Sequence, residues 1–259
     1  MVVGGGKMGE ALVSGVLRAK FARPSQIVVV EPIASRRSQL SAAHPGLVVD
    51  TTVPAKADGV VLAVKPLDIP EACAAVVAAR PGRVLSIAAG VRLASLEQWL
   101  DGIPVVRAMP NTPALVGAGA SAIAPGSTAA PADLEWAEAV LGSVGIVLRV
   151  TEKALDAVTG LSGSGPAYVF LVAEALVDAG VHAGLDRETS AALTVQTLLG
   201  AARMLAESSE LPEALRAAVT SPGGTTAAGL RVLEQRAVRA ALLDAVAAAT
   251  ERSRELGGP

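Results

Sequence analysis

The chain of 259 residues is poor in aromatic rings and in reactive side chains: one Tyr, two Phe, two Trp, two His and a single cysteine. So few rings leave no stacking platform for bases, and a formal net charge of −2 leaves no basic stripe for a phosphate backbone, which argues against nucleic acid as a partner. Cys73 cannot close an intrachain disulfide and sits among alanines in a helical stretch, so it reads as a buried structural thiol suited to a reducing compartment. His44 and His182 are far apart and lack metal-ligand spacing; surface positions suit both, and no metal site is expected. No run of eighteen or more apolar residues is free of charge, Gly or Pro, and the beginning of the sequence has neither a signal-like nor a transit-like pattern. No repeat of fixed period and no low-complexity linker stands out. The expectation is a cytoplasmic protein that binds neither membrane nor nucleic acid and acts on a small molecule.

What the chain has in abundance is apolar and small: 51% of its residues are hydrophobic and 26 are glycine, enough for one large core or two modest ones. Up to about residue 150, short β-branched runs at 2–3, 27–30, 60–64, 84–87, 105–106 and 146–150 alternate with helical segments. That rhythm predicts an α/β fold, with a Rossmann-type, doubly wound parallel sheet over residues 1–150. From 151 to 259 the β-type runs vanish, predicting an all-α domain.

The first run leads into Gly4-Gly5-Gly6-Lys7-Met8-Gly9, followed by a helical pattern with Leu12, Val13, Val16 and Leu17 on one face. In a dinucleotide fingerprint Gly4 permits the tight turn, Gly6 lets the backbone approach the pyrophosphate, Gly9 allows close packing, and the helix start at Lys7 and Met8 receives the phosphates. Only Met1 to Val3 precede the glycines, so the first strand is expected to be unusually short. Glu31 follows the second run near the spacing of a ribose-binding acid and favours NAD, whereas Ser35, Arg36 and Arg37 could hold a 2′-phosphate and favour NADP. Ala63-Val64-Lys65-Pro66 and Ala88-Ala89-Gly90 end two further strands, at the edge where open α/β sheets collect ligands. Arg107-Ala108-Met109-Pro110-Asn111-Thr112-Pro113 follows another, and its prolines fix a loop from which Asn111 and Thr112 can face the cleft; the alternative is a rigid turn.

In the second half, Gly163-Ser164-Gly165-Pro166 reads as a helix start with Ser or Gly as the cap. The helix after it, with Val169, Phe170, Leu171, Val172 and Leu176, is apolar around almost its whole circumference, and the segment 188–205 is similar. Two such helices exceed what one small core covers, which predicts a homodimer built through them, with a higher assembly of dimers left open. The last helix, about 236–256, has the polar face of a surface helix. Between these helices, Ser221-Pro222-Gly223-Gly224-Thr225-Thr226 reads either as a turn with a Thr cap or as a cradle whose helix-start amides receive a carboxylate. Tyr168 reads as a packing residue.

Together, Val64-Lys65-Pro66, the 107–113 loop, Gly163-Ser164-Gly165-Pro166-Ala167-Tyr168 and Ser221-Pro222-Gly223-Gly224-Thr225-Thr226 closely resemble the pyrroline-5-carboxylate reductases, in order and across nearly the whole chain. The resemblance implies reduction of 1-pyrroline-5-carboxylate to L-proline with NADPH or NADH, the last step of proline synthesis, at a site completed by helices of a partner subunit. Carried over, it implies that Ser221, Gly223, Gly224, Thr225 and Thr226 hold the substrate carboxylate, that the Thr226 hydroxyl meets the ring nitrogen, and that Glu152 lies near the pocket. Gly4, Gly6, Lys7, Met8, Gly9, Glu31, Ser35, Arg36, residues 63–66, residues 88–90, Met109 and Asn111 would then bind the cofactor, NADP with NAD as the alternative. Glu31 departs from the phosphate-friendly stretch of NADP-using relatives. Two other readings stand beside this one. A hydroxyacid dehydrogenase of similar architecture would carry a catalytic Lys followed by Asn, yet the lysines are 7, 20, 56, 65 and 153, and Lys153 precedes Ala154-Leu155-Asp156. A catalytically silent dinucleotide-binding protein is the other.

Overall fold

Each valine-rich run becomes a strand whose alternate residues face opposite sides of one sheet, and two further strands join it. In the computed structural model, which describes residues 1–258, the strands are β1 (Val2–Val3), β2 (Val28–Val30), β3 (Val48–Asp50), β4 (Gly59–Leu62), β5 (Arg83–Ser86), β6 (Val105–Met109), β7 (Gly119–Pro125) and β8 (Gly145–Arg149). Val2, Val29, Val61 and Leu85 cluster with Leu12, Val13 and Val16 of α1 (Lys7–Arg18) and with Val140 and Leu141 of α5 (Pro131–Gly142). Val3, Val30, Leu62 and Val84 cluster instead with Ile69, Cys73 and Val76 of α3 (Ile69–Ala78) and Leu93 and Leu96 of α4 (Leu93–Trp99). The period-2 alternation thus builds two cores from one sheet, with helices over both faces. Cys73 is fully buried, and burial pushes its thiol up to about 11, so it is inert at neutral pH.

The strand order is β3-β2-β1-β4-β5-β6-β7-β8, and its first six strands follow the doubly wound dinucleotide order. The sheet is not parallel throughout, as the sequence suggested: β7 runs antiparallel to β6. Residues 110–118 hold only the 3₁₀ turn Thr112–Val116, too short for a crossover helix, so the chain doubles back. The first strand is as short as expected; Val2 pairs with Val29 on one side and Val61 on the other, and the Met1 amino group donates to the Gly59 carbonyl at 2.8 Å.

Two compact units result, one formed by residues 1–164 with 247–258, the other by Gly165–Val246. No new helix is capped at Ser164. The helix of α6 (Leu155–Val158) passes through a π-helical turn, Thr159–Gly163, closed by the Ser164 amide donating to the Thr159 carbonyl at 2.8 Å, and α7 (Gly165–His182) follows. Proline explains the widening, because Pro166 has no amide for the carbonyl four residues back, that of Ser162.

In the second unit α7 packs on α8 (Arg187–Glu207), where the Ser190 hydroxyl donates to the Val177 carbonyl at 2.8 Å and a side chain on Gly180 would overlap Ser190. Asp186 caps α8 by accepting from the Thr189 amide at 2.9 Å. Both helices leave large apolar side chains exposed, among them Val169, Phe170, Leu171, Leu193, Val195 and Met204. The continuous stretch Glu152–His182 is long and apolar enough, by length and composition, to cross a bilayer. The remaining helices are α9 (Pro212–Ala218), α10 (Thr225–Gln235) and α11 (Val238–Leu256). The far end of α11 belongs to the first unit, where the Ser253 hydroxyl donates to Asp156 at 2.7 Å.

Candidate active site

The C-terminal ends of β1, β2, β4, β5 and β6 lie along one sheet edge, and β1 and β4 mark the point where strand order reverses. Here the Gly4 backbone takes φ +104, and any Cβ on it would stand 2.6 Å from the Ala63 carbonyl oxygen. Gly9 lies in the first turn of α1, where a methyl would run into the Gly4 carbonyl. Around Gly6, the N-cap, an added Cβ would meet nothing within 4 Å, and no side chain caps the amides that follow it. Open space in front of uncapped, same-facing amides, with exposed Lys7 and half-buried Met8 beside them, fits a pyrophosphate. The residues present therefore fit a dinucleotide.

Glu31 is buried at the end of β2, where one carboxylate oxygen accepts from the Gly5 amide at 3.0 Å and the other from the Ile33 amide at 2.9 Å. Arg36 does not reach outward for a phosphate, as the sequence suggested. Its Nε donates to the Gly5 carbonyl at 2.6 Å, and its guanidinium pairs with Glu10 at 2.5 Å and bonds Gln39 at 3.1 Å. Arg37 donates to the carbonyls of Glu31 and Pro32, and Ser35 is exposed in the first turn of α2 (Ala34–Ala43). His44, expected on the surface, is largely covered: its Nε2 lies 3.3 Å from the Ser14 hydroxyl and 3.8 Å from Glu10.

Along the same edge, Ala63 and Val64 are half-buried, and Lys65 and Pro66 are exposed at the start of a 3₁₀ turn. Ala88 is buried, Ala89 exposed, and Gly90 turns the chain at φ +77. Met109 is half-buried, with its terminal methyl 2.8 Å from where a Cβ on Gly163 would stand. Asn111 faces inward, not into the cleft: its Oδ1 accepts from the Ala120 amide at 2.8 Å, and its Nδ2 donates to the Ser162 carbonyl at 3.1 Å. That carbonyl is the one Pro166 leaves without a helical partner, and a buried carbonyl needs a donor. The amide of Asn111 thus locks the β6–β7 turn onto the π-helical turn, which corrects its assignment as a cofactor-binding side chain.

Glu152, expected near the pocket, has a structural tie of its own. One of its oxygens accepts from the Arg107 guanidinium at 2.8 Å and from the Leu93 amide at 2.6 Å, so it neutralises a buried arginine and serves the first turn of α4. Glu152→Ala would strand the Arg107 charge; because Glu152 is itself about a third exposed, the cost is set below the full buried-pair range, at ~2 kcal/mol. Thermal unfolding should then fall by about 4–8 °C. An unchanged melting temperature would show that the pair carries no structural weight.

The second candidate element lies wholly in the second unit. Ser221 to Gly224 form a β-turn, with Pro222 at its second position, Gly223 left-handed at φ +70, and the Gly224 amide donating to the Ser221 carbonyl at 3.1 Å. A Cβ on Gly224, the N-cap of α10, would stand 2.5 Å from the Ser221 hydroxyl oxygen and push that hydroxyl aside. Thr225, expected as a cap, is not one. Gly224 holds that place, no side chain caps the helix, and Thr225 and Thr226 are exposed in its first turn. The turn thus presents uncapped amides and two exposed hydroxyls at a helix N-terminus, where the helix dipole favours negative charge. Tyr168, half-buried on α7, donates to the Ala245 carbonyl at 3.5 Å. Among the described residues, no group of three or more His, Cys, Asp or Glu side chains is arranged to hold a metal ion. The π-helical turn was not foreseen, although a proline directly after Gly-Ser-Gly was its visible sign.

Comparison with known proteins gives two family matches: residues 152–256 to pyrroline-5-carboxylate reductase dimerisation, and residues 1–90 to NADP oxidoreductase, coenzyme F420-dependent. The pyrroline-5-carboxylate reductase of a Synechocystis species is 45% identical over 260 residues, covering 99% of this chain and 97% of the relative. The solved structure of a pyrroline-5-carboxylate reductase from Coxiella burnetii is similar with a TM-score of 0.93 at 37% identity, covering 100% of this chain and 98% of the other. That of a Plasmodium falciparum pyrroline carboxylate reductase with NADP bound has a TM-score of 0.87 at 31% identity, covering 99% and 97%.

Proposed function

The chain belongs to the pyrroline-5-carboxylate reductase family, and from that membership we infer that it reduces 1-pyrroline-5-carboxylate to L-proline, the last step of proline synthesis. The observation that carries this reading is the reach of the similarity, which spans both the dinucleotide unit and the helical unit. The cofactor is a nicotinamide dinucleotide, which when bound supplies the hydride for the imine carbon. The chain's own residues orient. The Gly4 to Gly9 loop and the first amides of α1 hold the pyrophosphate, and the Ala63 to Pro66 and Ala88 to Gly90 turns border the same edge. The amides at Thr225 and Thr226 receive the substrate carboxylate, and the Thr226 hydroxyl hydrogen-bonds the ring nitrogen. A protonated imine is already electrophilic, so fixed geometry contributes more here than a strong general acid would.

The protein is a homodimer through its C-terminal helices, and the exposed apolar face of α7 and α8 is the surface that this assembly covers. Phe170→Asp with Leu171→Asp should turn a micromolar dimer into monomer in sedimentation, at the cost of catalysis; a folded, active dimer would place the contact elsewhere. Its one cysteine is buried and free, which suits a reducing compartment such as the cytoplasm. The decisive assay follows NADH and NADPH oxidation with 1-pyrroline-5-carboxylate and, separately, with small keto acids. Turnover of the imine is expected; turnover of keto acids alone would overturn the reading in favour of a hydroxyacid dehydrogenase.

A further inference from the structure

A ribose 2′-substituent in a doubly wound dinucleotide site falls beside the end of β2, so the charges there decide between NADH and NADPH. Three features of this chain bear on that point. First, Glu31 is buried to 6% exposure, and its two oxygens are held by the Gly5 and Ile33 amides at 3.0 and 2.9 Å. Ile33 is the N-cap of α2, a helix of 10 residues with no side-chain cap of its own. The carboxylate therefore already takes the N-cap amide of α2, one of the donors that this helix start would otherwise offer to a phosphate. Second, the arginine best placed by sequence is neutralised: Arg36 is paired to Glu10 at 2.5 Å and anchored on the Gly5 carbonyl. Third, Arg37 is tied to the Glu31 and Pro32 carbonyls, and Asp50 at the end of β3 stands beside Glu31, its carbonyl accepting from the Glu31 amide at 2.9 Å. Around the end of β2 stand three carboxylates, Glu10, Glu31 and Asp50, against two guanidiniums, Arg36 and Arg37, leaving a net negative charge where NADPH would bring a dianion.

We propose that Glu31 is the specificity-determining residue of the dinucleotide site and that this enzyme selects NADH over NADPH. The inference rests on the dinucleotide reading above and deepens it. The carboxylate does two things: it repels a 2′-phosphate, and its remaining lone pairs accept from a free 2′-hydroxyl, which NADPH lacks. The neutral isostere Glu31→Gln removes the charge while keeping the length of the side chain and one acceptor oxygen for the loop.

The test is equilibrium titration of the dimeric protein with NADH and with NADPH, followed by nicotinamide fluorescence and with no imine present. In the parent protein NADH should bind at least tenfold more tightly, which corresponds to about 1.4 kcal/mol. In Glu31→Gln that ratio should fall to within about threefold of unity, chiefly through tighter NADPH binding. Equal or tighter NADPH binding by the parent would overturn the proposal, and this is read before any variant has to fold. A variant that loses both ligands in proportion, leaving the ratio unchanged, would remove Glu31 from the selection. Because the readout is binding, failure of the imine assay with both cofactors would count against the reaction and leave the selectivity result legible.

Discussion

Replacing Thr226 by alanine should lower kcat/KM for 1-pyrroline-5-carboxylate by about 10- to 100-fold, leaving dinucleotide affinity within about twofold of the parent. The range is that of one hydrogen bond to a charged group, about 1.5–3 kcal/mol, lost at the reacting nitrogen. The fold has little reason to suffer, since Thr226 is exposed in the first turn of α10 and alanine is the better helix former. Thr226→Ser, which keeps the hydroxyl, should recover most of the loss. Steady-state kinetics alongside a dinucleotide titration separate the two quantities. Kinetics equal to the parent's would take this hydroxyl out of the mechanism.

The second large effect concerns two glycines that a sequence motif treats alike. Gly9→Ala would push a methyl into the Gly4 carbonyl, so α1 or the loop has to move. Overpacking of this kind costs about 1–3 kcal/mol of stability, and the displaced amides should weaken dinucleotide binding by about 100-fold. Gly6→Ala meets no atom within 4 Å and has ordinary backbone angles at φ −65, so it should leave the melting temperature unchanged. It too should weaken binding, because the space its methyl fills is the ligand's. Thermal melts and fluorescence titrations of both variants check the pair. A Gly6→Ala protein that binds as tightly as the parent would move the pyrophosphate away from this loop.

Much of this architecture was legible before any coordinates. The valine runs announced their strands, because alternation of β-branched residues has few other uses, and the glycine loop lies where its flanking strand and helix said it would. Two strands escaped notice for composition: β7 reads Gly-Ala-Ser-Ala-Ile-Ala-Pro, whose small residues signal nothing by periodicity, and β3 is only Val48–Asp50. β7 is a strand because β6 and β8 offer it ladders on both sides, a tertiary reason that no local window contains. The site residues show the same division. Asn111 and Arg36 were expected to bind the cofactor and Glu152 to lie near the pocket, yet their side chains turn to the Ser162 carbonyl, Glu10 and Arg107. Residue type and position were readable; the partner was not, because each one comes from a segment at least 26 residues away in the chain.

The single peptide unit at Gly5 is gripped from both sides, its amide by Glu31 and its carbonyl by Arg36. A glycine-rich loop left to itself samples many conformations, and freezing it on ligand arrival would cost about 1–2 kcal/mol per residue in conformational entropy. Here that freezing takes place during folding, carried by the side chains of Glu31 and Arg36. The three consecutive glycines, the most permissive stretch of the backbone, thereby act as a rigid mould: the dinucleotide meets a shape already cast, and its affinity is not reduced by having to cast it.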